Sequence, residues 1–163
     1  MANEVRHGGI VILLSFAVAY IFALLPLGDD WARIKPEWVV LVLIYWCIYT
    51  PSRVGIFWAW AAGLFLDIIY GVLMGQYALA MVIVAFSSYK IQTRFRLYPL
   101  LQQALIIILL VAVLQMIVLW IKGINGFAPQ GIWYWIPSLS SALAWPFVAL
   151  ILDRFRHVYG IHE

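Results

Sequence analysis

VGIFWAWAAGLFLDIIYGVLMGQYALAMVIVAFSSY, running from Val54 to Tyr89, is a stretch of 36 residues whose only charge is Asp67. As one helix it would be about 54 Å long at about 1.5 Å per residue. A bilayer hydrocarbon core of about 30 Å needs only roughly 20 apolar residues. The run is too long for one crossing, and Gly71, Gly75 and Gln76, just past its middle, offer a break. It therefore divides into two short spans, 54–72 and 76–89, joined by a very tight turn.

Outward from that pair, four more apolar runs read as spans, at 10–27, 37–51, 98–121 and 132–152. The segment Gly123–Gly131 is rich in Gly, Asn and Pro and reads as a loop. The second and fourth spans are short, so local bilayer thinning or shielding by neighbouring helices is expected. The fold class is thus all-α: one integral-membrane domain over residues 1–163, a polytopic bundle of about six transmembrane helices.

Composition points the same way. Of 163 residues, 66% are hydrophobic and 10% charged, against ~45–50% and ~25% in soluble domains. A water-soluble fold this small has no interior large enough to hide so much apolar surface. That excludes a soluble enzyme, a disordered tail and a coiled coil. The net charge of +3 is scattered in short clusters rather than set in a stripe that would neutralise a row of phosphates, so no nucleic acid is implied. Cys47 is the single cysteine and lies in an apolar run, so no intrachain disulfide forms.

With six spans, one side collects Arg6, Arg53, Lys90, Arg94, Arg96, Arg154 and Arg156; the other has Arg33, Lys35 and Lys122. The positive-inside rule then places both termini in the cytoplasm. A five-span chain divides its charges equally well, so length chooses six. Ala17-Val18-Ala19 sits inside the first apolar run rather than after it, which favours a retained first span over a cleaved signal peptide. Trp31, Trp38, Trp120, Trp133 and Trp135 fall at the expected outer interface, where amphipathic rings settle. Trp46, Trp58, Trp60 and Trp145 lie deeper, for packing between helices or against a partner helix.

Asp67 carries the most information. An ionised carboxylate at a helix centre costs about 2.5–3.5 kcal/mol on insertion scales, so it must face protein or water, or be protonated. Around it runs Gly63-x-x-x-Asp67-x-x-x-Gly71-x-x-x-Gly75, a small or polar residue at every fourth position. One reading is a helix-packing or partner-binding seam with a buried acid, since glycines let a neighbouring backbone approach. The other is a re-entry corner, with Asp67 near the interface and the glycines turning the chain. Tyr70, Gln76, Tyr77 and Gln115 are placed to hydrogen-bond the carboxylate or to line a small cavity; for Gln115 an interhelical hydrogen bond is the simpler role. Lys90, Arg94 and Arg96 form a basic loop that is first a topology determinant, and secondly, with Arg154–Arg156, an attachment point for anionic lipid or a cytoplasmic protein.

Enzyme chemistry finds no support. His7, His157 and His162 lie outside the spans without metal-site spacing. Ser138, Ser140 and Ser141 lack an intramembrane His or Lys to activate them. Neither a cofactor nor a metal is expected. A lone intramembrane acid also suits proton-coupled transport, but the second charged set a transporter needs is missing.

Lys35-Pro36-Glu37-Trp38, Tyr45-Trp46, Pro51-Ser52-Arg53-Val54, Gly63-Leu64-Phe65-Leu66-Asp67 through Gly71 and Gly75 to Ala78-Leu79-Ala80, and the amphipathic tail after Trp145-Pro146 together resemble the MreD rod-shape-determining family. The likeness covers essentially the whole chain. It implies a bacterial inner-membrane protein of the elongation machinery that builds lateral peptidoglycan. Its direct partner would be MreC, with MreB, RodA and a class B penicillin-binding transpeptidase in the same assembly, and membrane lipid around it. It also implies a distant likeness in fold to the membrane substrate-binding subunits of vitamin importers. The leading expectation is a non-catalytic scaffold; the alternative is a small-molecule-binding transport subunit in which Asp67, Gln76, Tyr77 and Gln115 converge on a ligand.

Overall fold

The computed structural model describes residues 2–26, 28, 33–126 and 131–160, with side chains from Gly8 onward. Trp31, His162, residues 127–130 of the Gly/Pro-rich loop and the side chains of Arg6 and His7 lie outside the described residues. The described part is all helical: α1 (Ala2–Leu24), α2 (Trp38–Tyr49), α3 (Ile56–Tyr70), α4 (Gln76–Phe95), α5 (Leu100–Ile124) and α6 (Ile136–Val158), the last entered through a 3-10 turn at Ile132–Trp135. Among the described residues, two helices are long and apolar enough to cross a membrane, α5 and the continuous Ile132–Val158.

At the centre stands α2. Its 12 residues span only about 18 Å, and every one from Val39 to Ile48 is buried. A helix apolar all round is stable only inside other protein or lipid; here α1, α4 and α6 pack around it. Trp46 and Trp145 are fully buried, and each indole N–H has a partner: Trp46 donates to Ser15 Oγ at 2.9 Å and Trp145 to Gln103 Oε1 at 3.0 Å. Such bonds relieve the cost of burying a polar N–H. Trp58 stacks on Phe16 with ring centroids 5.9 Å apart. Trp60 packs less within the chain, being 45% exposed on the outer face of α3.

Helix ends differ from the expected spans where charge marked a boundary. The fourth helix is not short: α4 continues past Tyr89 to Phe95. The uncharged length of a run measures contact with lipid, whereas the helix persists through its polar last turns until the Leu97–Pro99 turn. The short elements are α2 and the 15-residue α3. Likewise α1 begins before residue 10, and α6 runs beyond 152 to Val158. The break expected in the deciding stretch falls at Gly71–Gly75.

Candidate functional site: the Asp67 corner

Helix α3 ends in a Schellman arrangement. Gly71 adopts φ +60°, its N–H donates to Ile68 O at 3.2 Å, and Val72 N–H donates to Asp67 O at 3.1 Å. Only a residue without Cβ enters this left-handed conformation freely. The chain then turns through Gly75, at φ +100°, into α4.

The first N–H groups of any helix lack intrahelical partners, and lipid offers them none. Asp67 supplies what α4 needs. Its Oδ1 accepts from Tyr77 N–H at 2.7 Å; its Oδ2 accepts from Gly75 N–H at 2.8 Å and, more weakly, from Ala78 N–H at 3.4 Å. Gln76 N–H goes to Leu73 O at 3.2 Å. The carboxyl is 1% exposed and lies at the positive end of the α4 dipole. One residue thus closes α3 with its carbonyl and opens α4 with its side chain.

Gly63, one turn earlier, brings the helices close enough for this reach. A Cβ there would sit 2.4 Å from Ala78 Cα and 2.7 Å from Tyr77 O. The expected four-membered seam therefore divides. Gly63 packs α3 on α4, whereas Gly71 and Gly75 have open space at the Cβ position and serve the turn. Asp67 itself stands in the last turn of α3, not at a helix centre.

The polar residues placed near Asp67 by sequence also separate. Tyr77 reaches the carboxylate, through its backbone N–H only. Its ring lies against Tyr70, centroids 5.3 Å apart. Gln115 pairs reciprocally with the segment entering α6: its Nε2 donates to Tyr134 O at 2.9 Å, and Tyr134 O–H donates to Gln115 O at 2.8 Å. Gln76 is buried with Nε2 unpaired among the described residues, as is Oε1 of Gln115. Both Asp67 oxygens are engaged by backbone N–H groups, while Gln115 is engaged with Tyr134.

Glu37 was not singled out by sequence as a site residue. It lies immediately before α2, its N–H donating to Ser141 Oγ at 2.9 Å. Tyr70, Tyr77 and Tyr134 all stand within electrostatic reach of its carboxyl. Lys35 and Lys122 also stand within electrostatic reach of it. The available signal was an acid set directly before a 12-residue apolar run.

At the opposite end, Lys90 and Arg94 belong to the last turns of α4 rather than to a loop. Lys90 lies over the Phe86 ring at 4.7 Å. Arg96 reaches back to α2, donating Nε at 3.0 Å and a terminal nitrogen to Ile48 O. Arg156 stacks on Tyr49 at 4.7 Å and pairs with Asp153 at 2.7 Å. Among the described residues no group of His, Cys, Asp and Glu gathers that would hold a metal.

A buried all-round core helix, wide apolar outer faces and a carboxylate spent on backbone define an all-helical membrane protein whose polar groups serve its architecture. The chain belongs to the MreD family of rod shape-determining proteins, the family match covering residues 5–155. It is 29% identical over 154 residues to the rod shape-determining protein MreD of Haemophilus influenzae, covering 93% of each chain. No solved structure matches it. Membership assigns it a role in determining rod shape, in a family of membrane proteins not known as enzymes.

Proposed function

We propose that the chain is a non-catalytic scaffold of the bacterial cell-elongation complex. It sits in the inner membrane with both termini cytoplasmic, binds the membrane helix of MreC, and supports lateral peptidoglycan synthesis beside MreB, RodA and a class B penicillin-binding transpeptidase. The observation that carries this reading is the engagement of Asp67 by three backbone N–H groups. The acid orders the bundle, which leaves the protein's outer faces for partners. With Gly63 occupied inside the chain, the docking surface is an apolar ridge. Phe57, Trp60, Phe65 and Ile68 are all exposed on α3 and fall within one side of the helix at 100° per residue.

Co-purification with MreC in mild detergent tests it. Wild-type protein retains MreC; a Phe57→Ala, Trp60→Ala double variant that stays folded retains at least tenfold less, about 1.4 kcal/mol. Wild-type protein that never holds MreC, under conditions that preserve other membrane complexes, sinks the scaffold reading. The transport-subunit reading is weakened where Asp67 spends both oxygens on backbone; a ligand that raises the melting temperature in a screen of vitamins and metabolites would favour it.

A further inference from the structure

Helices α1 and α3 are bridged by side chains along one face of α1. Tyr20 O–H donates to Ala62 O at 2.7 Å and its ring meets Phe65 edge-on; one turn back, Phe16 stacks on Trp58. Ile12 continues that face and is buried. The next position on it, two turns less about 20° before Phe16, is Gly9, where a Cβ would meet no atom. With no side chain to close the gap, a partly open cavity of about 270 Å³ is left at this end, lined by Gly9, Ile12, Arg53 and Trp58.

The chemistry of that lining is one-sided. Arg53 is half-buried, and among the described residues neither its guanidinium nor the Trp58 indole N–H has a hydrogen bond or ion pair. Elsewhere such groups are engaged: Trp46 and Trp145 bond their N–H, and Arg96 and Arg156, at the same end as Arg53, are tied to Ile48 O and Asp153. A guanidinium and an indole can only donate, and no described side chain of the lining accepts. Two unpaired donors with no acid beside them select an anion, and the planar guanidinium fork fits a phosphate. Gly9 and Arg53 stand immediately before the apolar runs that begin at Ile10 and Val54, so the cavity lies where hydrocarbon gives way to headgroups. We propose that this cavity is a binding site for a phosphate group, held by Arg53 and the Trp58 N–H, with an anionic phospholipid headgroup as its source. The site is separate from the MreC-docking ridge, because Trp58 is turned to α1, about 100° around α3 from Phe57.

Native mass spectrometry of protein released from nanodiscs tests it, with equal phosphatidylglycerol and phosphatidylcholine of identical chains. The wild type retains phosphatidylglycerol over phosphatidylcholine about fivefold, the scale of one basic residue at a membrane surface. Arg53→Gln brings the ratio to near parity at an unchanged melting temperature, and so does Gly9→Leu, whose Cβ has open space. If Gly9→Leu does not fold, Trp58→Phe is read instead; it keeps the ring against Phe16, removes the N–H and lowers the ratio part-way. A melting temperature raised by millimolar inorganic phosphate in phosphatidylcholine nanodiscs, with the rise lost in Arg53→Gln, keeps the site and makes free phosphate its ligand. Neither response in the wild type, or responses that survive Arg53→Gln, overturn the proposal. So does an equal fall on Arg94→Gln, at an exposed position of α4, which makes the preference one of general surface charge.

Discussion

The two ends of the bundle solve the same problem with opposite charges. At the α3–α4 corner a carboxylate accepts from the orphan N–H groups that open a helix. At the far end Arg96 donates to Ile48 O, one of the orphan carbonyls that close α2. Both arrangements follow the helix dipole. They differ in burial: Asp67 is 1% exposed, whereas Arg96 is exposed. If Arg96 is removed, water or headgroups reach the freed carbonyl. If Asp67 is removed, nothing does. The buried corner therefore carries the larger share of the stability, and each substitution below weighs one end against the other.

The largest effect is expected at Asp67. Leu there strands two strongly bonded N–H groups and one weak one, at about 1–3 kcal/mol for each unsatisfied group, or roughly 3–6 kcal/mol together. Asn keeps one acceptor oxygen and loses about half as much. Reversible unfolding in detergent ranks wild type above Asn above Leu, and cell-shape complementation follows that order. Equal, full activity of both variants would make the acid incidental.

Next comes Gly63. Val at this position drives a side chain into the backbone of α4 and costs about 1–3 kcal/mol or more. Gly71→Ala meets open space but must hold a left-handed conformation, costing about 1–2 kcal/mol. Melting curves of the two variants separate packing from turn geometry, and a tolerated Gly63→Val would remove the close approach.

The smallest effect belongs to Arg96. Replacement by Gln removes an exposed charged hydrogen bond worth about 1 kcal/mol, visible as a slight loss of stability. A loss as large as that of Asp67→Leu would erase the contrast between the two ends.

Much of this architecture was legible in the residues. The 36-residue run exceeds one crossing, and Gly71 and Gly75 mark where it turns, because the left-handed φ both adopt favours glycine. What misled was the regular spacing of Gly63, Asp67, Gly71 and Gly75. A four-residue period reads as one helix face only while the helix continues, and α3 stops at Tyr70. Gly63 lies against α4 while Gly71 and Gly75 turn the chain, with Asp67 between them. The end of α4 was hidden for a different reason: Lys90 and Arg94 mark where lipid contact fades, not where backbone bonding stops. Glu37 escaped notice because its surroundings, Tyr70, Tyr77 and Tyr134, come from three distant segments that only folding assembles.

The most direct test is hydrogen exchange at the Gly75 and Tyr77 amides in lipid nanodiscs, comparing wild type with Asp67→Leu. Both amides should be protected in the wild type. In the variant they should exchange roughly 10–100-fold faster, the equivalent of 1–3 kcal/mol lost per group, while α5 keeps its protection. Unchanged exchange at both amides would contradict the claim that this carboxylate opens α4.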